Sequence, residues 1–305
     1  MRLASREERA RPLLPALRTH ALAYAFLAPS LAFIGVFLLY PIGDTLYLSF
    51  THFNFVYDSA PRFAGVSNYA DLAADDGFLN AVANTAEFTV LFLPAFVIGG
   101  LVAAAVIESL PRFGAFFRTV AFLPVIVALS VTGVMFDWIF DPQFGLMNHV
   151  LNSVGLHALT RDWLTDPGLA LPVIVAVSLW QQIGISMLIF IGGLRAIPAE
   201  IYEAAYCDGA SRARAFFAIT VPNIKESILI ATVWGIVQAI KVFDLPYVMT
   251  HGGPGGATET LYLHLWNVAF KFFEMGLGSA IGYVMAIAIL VLSMVTFRAG
   301  RTEEA

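Results

Sequence analysis

The chain has 305 residues, 59% of them hydrophobic and only 13% charged, about half the charge of an ordinary soluble domain. With 17 Lys plus Arg against 22 Asp plus Glu the net charge is −5, which leaves no basic surface for nucleic acid. The mean hydropathy of +0.77 and the single cysteine, Cys207, exclude a soluble domain, a disulfide framework and a multi-cysteine metal site, and point to an all-α, polytopic membrane protein.

A helix needs about 20 mostly apolar residues to cross a bilayer, so the charged residues act as fence posts. An Arg-rich tail over 1–20 precedes the uncharged run 21–43, an anchor expected to stay uncleaved because it is long, contains Pro29 and Pro41 and has no small-residue cleavage site after it. Further uncharged runs lie at 88–107, 119–136, 167–194 and 275–297. The predicted spans are about 21–43, 84–107, 117–139, 169–193 and 275–297, with a sixth at about 226–249 that carries Lys241 and Asp244 in its far half. These two charges, three residues apart, are placed to pair with each other. The membrane domain therefore covers 21–298 and a short tail 299–305.

The stretches 142–160 and 260–270 are too polar for spans and read as interfacial or extramembrane helices. The run HGGPGG at 251–256 reads as a flexible turn. Orientation follows the basic residues. With both ends on one side, 13 of the 17 Lys and Arg residues fall there, leaving Arg62, Arg161, Lys271 and the intramembrane Lys241. Both termini are expected in the cytoplasm, and the loops 44–82, 137–168 and 250–275 outside.

No G-x-x-x-x-G-K-[ST] loop occurs, so the chain has no phosphate cradle with which to hydrolyse ATP. There is no H-E-x-x-H pair and no G-x-S-x-G elbow. The chain is expected to bind no cofactor and to perform no covalent chemistry. An ion-coupled secondary transporter would need a midmembrane acid, whereas the acids here stand at span edges or beside Lys241.

The connection 195–225 reads as helix, turn, helix. Pro198 suits a first helical turn, Gly209 the left-handed position that ends it, and Ser211 the cap of a second helix that Pro222 stops. Its small residues Ala204, Ala205, Gly209 and Ala210 allow close approach of another backbone, and Glu203 and Asp208 can meet basic or amide groups.

Glu203-Ala204-Ala205, three residues, Gly209, nine residues and Ile219-Thr220-Val221-Pro222 closely resembles the EAA loop of ABC importer permeases, with Val221 where that motif has Leu. Phe63–Tyr69, the stretch 122–142 and FDLPYVMTHGGPGGATETL at 243–261 extend the resemblance along nearly the whole chain, toward the binding-protein-dependent carbohydrate-uptake permeases of the maltose and glycerol-phosphate type. The resemblance implies a bacterial or archaeal cytoplasmic-membrane subunit importing a sugar or related polyol. It also implies a second homologous permease, two ATPase subunits that carry ATP and Mg, an extracytoplasmic solute-binding protein, and coupling to the ATPases through Glu203, Ala204, Ala205, Asp208, Gly209, Ile219 and Pro222.

Polar side chains inside spans default to functional hypotheses. Ser178, Gln181 and Gln182 fall in the fourth span, and Gly235, Gln238, Ala239 and Val242 share one face of the fifth. The same seven positions correspond, by offset from Glu203, to the sugar-lining positions of maltose-type permeases. Helix-packing polar contacts are the alternative reading.

Overall fold

The computed structural model describes residues 13–110 and 112–301; the two terminal tails expected at 1–20 and 299–305 fall largely outside them. Leu13–Ile34 (α1) continues through a single wide turn, Gly35–Leu39, into Tyr40–Ser49 (α2). A two-residue antiparallel pair, Thr51–His52 (β1) with Arg62–Phe63 (β2), and the short Ser67–Ala74 (α3) lead to the long Asp76–Glu108 (α4). The 33 residues of α4 span about 50 Å at 1.5 Å per residue, well beyond the hydrocarbon thickness.

Gly114–Ile126 (α5) and Leu129–Ile139 (α6) follow, then Leu146–Ser153 (α7) and Ala170–Ala196 (α8). Ala199–Cys207 (α9), Arg212–Ala215 (α10) and Val221–Asn223 (α11) form the loop of the EAA-type motif. Lys225–Ile240 (α12), Asp244–Thr250 (α13), Leu261–Trp266 (α14) and Met275–Arg301 (α15) complete the chain.

Four stretches are long and apolar enough to cross a membrane: Tyr24–Ser49, Asp76–Glu108, Ala170–Ala196 and Met275–Gly300. Two bent pairs, α5 with α6 at 95° and Arg212–Asn223 with α12 at 68°, bring the number to as many as six where each pair counts as one span. The protein is an all-α membrane bundle.

The core lies between α4 and α8. Phe88, Phe92 and Phe96 recur every fourth residue, stack at ring separations of 5.5 and 5.3 Å, and are buried against Leu171, Ile174 and Val175 of α8 and Ala239 of α12. A second cluster at the EAA-loop end joins Ala104 and Ile107 to Met187, Phe190, Ile191 and Ile224. A third at the opposite end joins Leu72, Phe78 and Ala81 to Ile236, Leu261, Val268 and Ile281.

Two departures from the sequence reading have local physical causes. The segment 117–139, expected as one crossing, bends by 95° because Val127 and Ala128 are extended just after Pro124. Pro124 has no N–H for the helical ladder, and the freed carbonyl of Val127 accepts from Gln181 Nε2 at 3.3 Å. The segment 226–249, expected as one helix, breaks at Lys241–Phe243. Lys241 then stands at the C-terminal end of α12 and Asp244 at the N-terminal end of α13, the arrangement helix dipoles favour; among the described residues the two do not pair.

The stretch 260–270, expected as an interfacial or extramembrane helix, packs against the bundle. Leu261, Val268 and Ala269 are buried, the first two packing with Ala280 and Ile281 of α15.

The 251–260 loop is not the flexible turn expected. His251, Gly252, Gly255 and Gly256 all have positive φ, and the loop is tied to α4 at several points. Asn80 and Asn84 donate to the Gly256 carbonyl at 2.9 and 2.7 Å, and Asn84 also to that of Glu259 at 3.0 Å. Within the loop, the buried Thr258 hydroxyl meets Thr250 at 2.6 Å and the Gly253 carbonyl at 2.7 Å.

Candidate functional site

Where α12 breaks, α8, α12, α13 and α14 leave a cavity of about 260 Å³. Its lining includes Ser178, Gln182, Gln238, Lys241, Val242 and Asp244, with Phe243 and Tyr262 supplying aromatic walls. Gln238 Nε2 donates to Gln182 Oε1 at 3.0 Å, joining the fourth and fifth spans directly beside the cavity. The Ser178 hydroxyl donates back to the Ile174 carbonyl at 2.8 Å within its own helix.

Four of the seven path residues suggested by the sequence therefore meet at one cavity: Ser178, Gln182, Gln238 and Val242. The other three do not line it. Gln181 satisfies the broken backbone of α5. Gly235 and Ala239 pack toward α4, where a Cβ on Gly235 would stand 2.6 Å from Leu93 Cδ1 and Ala239 joins the phenylalanine core. On a helix turning 100° per residue, Gln238 is displaced from both, so the expected single face is divided between core and cavity.

The sequence reading passed over Phe243 and Tyr262 and treated Lys241 and Asp244 only as a pair. The signal for them was the interruption of an otherwise apolar span by two charges next to aromatic residues. Phe243 is the centre of a ring cluster, stacked on Tyr247 at 5.2 Å and tilted against Tyr262 at 5.3 Å; Trp266 completes it, 4.9 Å from Tyr247. The Asp244 carboxylate accepts from Ser130 of α6 at 3.3 Å.

At the other end of the bundle α9 and α10 form the helix pair. Gly209, at φ +80°, ends α9 in a left-handed turn: its N–H donates to the Tyr206 carbonyl at 3.1 Å and that of Ala210 to Ala205 at 2.9 Å. This six-to-one plus five-to-two pattern is a Schellman cap. Ser211 caps α10 by accepting from the Arg214 N–H at 3.3 Å. A hydroxyl contact of 2.8 Å between Tyr202 and Thr220 staples the two arms.

The second arm ends at Asn223, one residue past Pro222, where the chain bends by 68° into α12; a wide turn over Phe216–Thr220 precedes the proline.

Glu203, Ala204, Asp208, Gly209 and Pro222 are exposed, whereas Ala205 and Ile219 are half-buried against the rest of the loop. Beneath the loop, Glu108 at the end of α4 accepts from Arg118 of α5 and twice from Arg195 of α8, each at 3.0 Å. One carboxylate thus ties three membrane helices together at the root of the helix pair. Among the described residues no group of three or more His, Cys, Asp or Glu is placed to hold a metal ion.

The comparisons with known proteins agree with this architecture. The chain is 39% identical over 285 residues to the probable ABC transporter permease protein YurN of Bacillus subtilis, covering 92% of this chain and 97% of that one. It is 32% identical over 284 residues to the sulfoquinovosyl glycerol transport system permease protein SmoG of Agrobacterium fabrum, covering 93% and 91%. Its fold matches a chain in the crystal structure of a bacterial alginate ABC transporter in complex with alginate pentasaccharide-bound periplasmic protein, with a TM-score of 0.82 at 20% identity over 96% of this chain and 98% of that one. Residues 72–301 match the family model described as binding-protein-dependent transport system inner membrane component, and with this architecture and these relatives the chain belongs to that family of non-catalytic, multi-pass inner-membrane permease subunits.

Proposed function

We propose that this subunit imports a sugar or oligosaccharide handed to it by an extracytoplasmic solute-binding protein. In this reading it pairs with a second, homologous permease, and two ATPase subunits bearing ATP and Mg dock on the 198–222 loop from the cytoplasm. Both termini are then cytoplasmic, and the loops around 44–82, 137–168 and 250–275 face the binding protein.

The observation that carries the coupling role is the exposed, doubly capped helix pair α9–α10 standing on the Glu108–Arg118–Arg195 node. A rigid element with exposed Glu203 and Asp208 suits insertion into a groove of another protein. Because its root is joined by charge-assisted bonds to α4, α5 and α8, a push on the loop is delivered to the membrane helices rather than lost in a flexible hinge. By linkage, ATP and the loaded binding protein act reciprocally on one equilibrium between inward and outward access.

The sugar assignment draws support from relatives such as the sulfoquinovosyl glycerol permease and from the cavity, whose amides and aromatic walls suit hydroxyls and apolar ring faces. Its volume, just below the usual range for drug-sized ligands, suits one sugar ring at a time. A polyol or glycerol phosphate is the nearest alternative.

The test is co-purification and coupling. A tagged chain expressed from its own cell should retain an ATPase. Glu203→Lys should abolish binding-protein-stimulated ATP hydrolysis while the chain still inserts and keeps its melting temperature. Unchanged stimulation in the variant would remove the coupling role from this loop.

A further inference from the structure

We infer that the imported solute carries an anionic group and that Lys241 receives it; this rests on the sugar reading of the same cavity and goes beyond it by naming the charge class of the ligand.

The starting observation is an imbalance in what the cavity offers. Of its lining residues two are charged, Lys241 and Asp244. They lie on either side of the break between α12 and α13, and among the described residues they form no ion pair. Asp244 is engaged within the protein: it opens α13, where a carboxylate is favoured, and accepts from Ser130 Oγ at 3.3 Å. Lys241 has no side-chain hydrogen bond or ion pair among the described residues, although it lines the cavity beside the amide of Gln238. It closes α12, where the helix dipole favours a cation, and it is exposed at the mouth of the cavity, so the ammonium is available to a ligand entering from that side.

The donor and acceptor inventory then sorts the ligand. A lysine ammonium only donates, and its strongest partners are carboxylate, sulfonate or phosphate oxygens. Asp244 only accepts and Gln182 and Gln238 do both, which suits ring hydroxyls. Phe243 and Tyr262 offer flat apolar walls for the ring itself. One acidic sugar ring satisfies all of these at once: its acid group at Lys241, its hydroxyls at Asp244 and the glutamines, its face on the aromatics. A neutral ring would leave the ammonium with hydroxyl oxygens only.

The experiment uses the transporter complex purified through this chain into nanodiscs, with two probes of equal length, a trigalacturonate and a neutral galactotriose. Binding is read by the shift in melting temperature and by titration at low and high salt. The expected result is about tenfold tighter binding of the acidic probe, the scale of one hydrogen bond to a charged group, shrinking at high salt. Lys241→Gln should remove that preference by weakening the acidic probe about tenfold more than the neutral one, and Lys241→Arg should keep it.

Equal affinity for the two probes in the unaltered complex would overturn the acidic class and leave the sugar reading standing. Loss of both probes in Lys241→Gln, or an unchanged preference in it, would overturn the role of Lys241. Binding of neither probe by the unaltered complex would overturn the inference and the sugar reading together.

Discussion

Gln238 and Gly209 carry the sharpest consequences at the scale of single residues. Gln238→Leu removes the donor that meets Gln182 Oε1 at 3.0 Å and leaves a largely buried acceptor unpaired, at a cost of about 1–3 kcal/mol. The detergent melting temperature should fall, and uptake should weaken by roughly two- to tenfold if the amide also meets the solute. Replacing both partners with apolar groups relieves the unpaired atom. A Gln182→Leu, Gln238→Leu double variant should therefore regain most of the stability and none of the uptake. Recovery of both would assign the pair to helix packing alone.

Gly209 is constrained by backbone rather than by space: a Cβ there meets nothing within 4 Å, but φ is +80°. Gly209→Ala and Gly209→Glu should each cost the isolated chain about 1–2 kcal/mol of left-handed strain, and equally so in melting experiments. Only the glutamate, which projects into the proposed docking surface, should in addition suppress stimulated ATP hydrolysis in the complex. Gly184 is the opposite case, since a Cβ would stand 2.7 Å from the Ala121 carbonyl oxygen; there the close approach of α5 to α8 requires glycine.

At the scale of elements, the 251–260 loop behaves as a fixed lid on α4. Glu259 accepts from His264 Nδ1 and Asn267 Nδ2, both at 3.0 Å. The hydrogen bond from His264 holds the Glu259 carboxyl below its ordinary range, against the opposing effect of burial and with help from Asn267 and the charges of His264 and Lys271. A depressed carboxylate stabilises the folded loop fully above its unfolded value of about 4.3, and that stabilisation is lost as pH falls through the lower folded value. Protection of the amides of residues 251–260, measured against the rate of an unstructured chain at the same pH, should therefore be high at neutral pH and fall below about pH 4, whereas Glu259→Gln should remove this acid step. An acid step of the same size in the variant would place its cause elsewhere.

The half-helices α5 and α6 show the same economy. A proline-initiated break in a membrane is tolerated because neighbouring side chains re-satisfy the backbone, and Gln181 does so here.

For the whole molecule the testable property is topology. Ser59 and Ser153 are exposed at the end away from the EAA-type loop, and the native Cys207 is exposed within that loop. Cysteines introduced at Ser59 and Ser153 should react with an impermeant thiol reagent added outside intact cells, and Cys207 should react only after permeabilisation. The opposite pattern would invert the orientation. Thr258 is unsuitable for such a probe because it is fully buried in the 251–260 lid. The first crossing, Tyr24–Ser49, has few buried residues in this chain and meets the bundle through α2, where Tyr283 donates to the Ile42 carbonyl at 2.6 Å. Its apolar surface is satisfied by lipid or by another subunit, so isolated-chain stability is expected to depend little on residues 24–39.

The amino-acid sequence by itself determined the all-α membrane class, because charge-free runs of about 20 residues can be satisfied only as membrane helices. It also determined the helix–turn–helix of the 198–222 loop, since proline, glycine and a capping serine act locally through φ and single hydrogen bonds. The tertiary structure alone decided where helices break and which polar side chains face a cavity. Gln181 and Gln182 are adjacent in the chain, yet one serves the carbonyl of Val127 and the other meets Gln238 across a helix interface. The glycine-rich loop likewise became rigid only through Asn80 and Asn84, more than 170 residues away in sequence. Such roles depend on which long-range partners packing brings within hydrogen-bonding distance, and no local pattern encodes that choice.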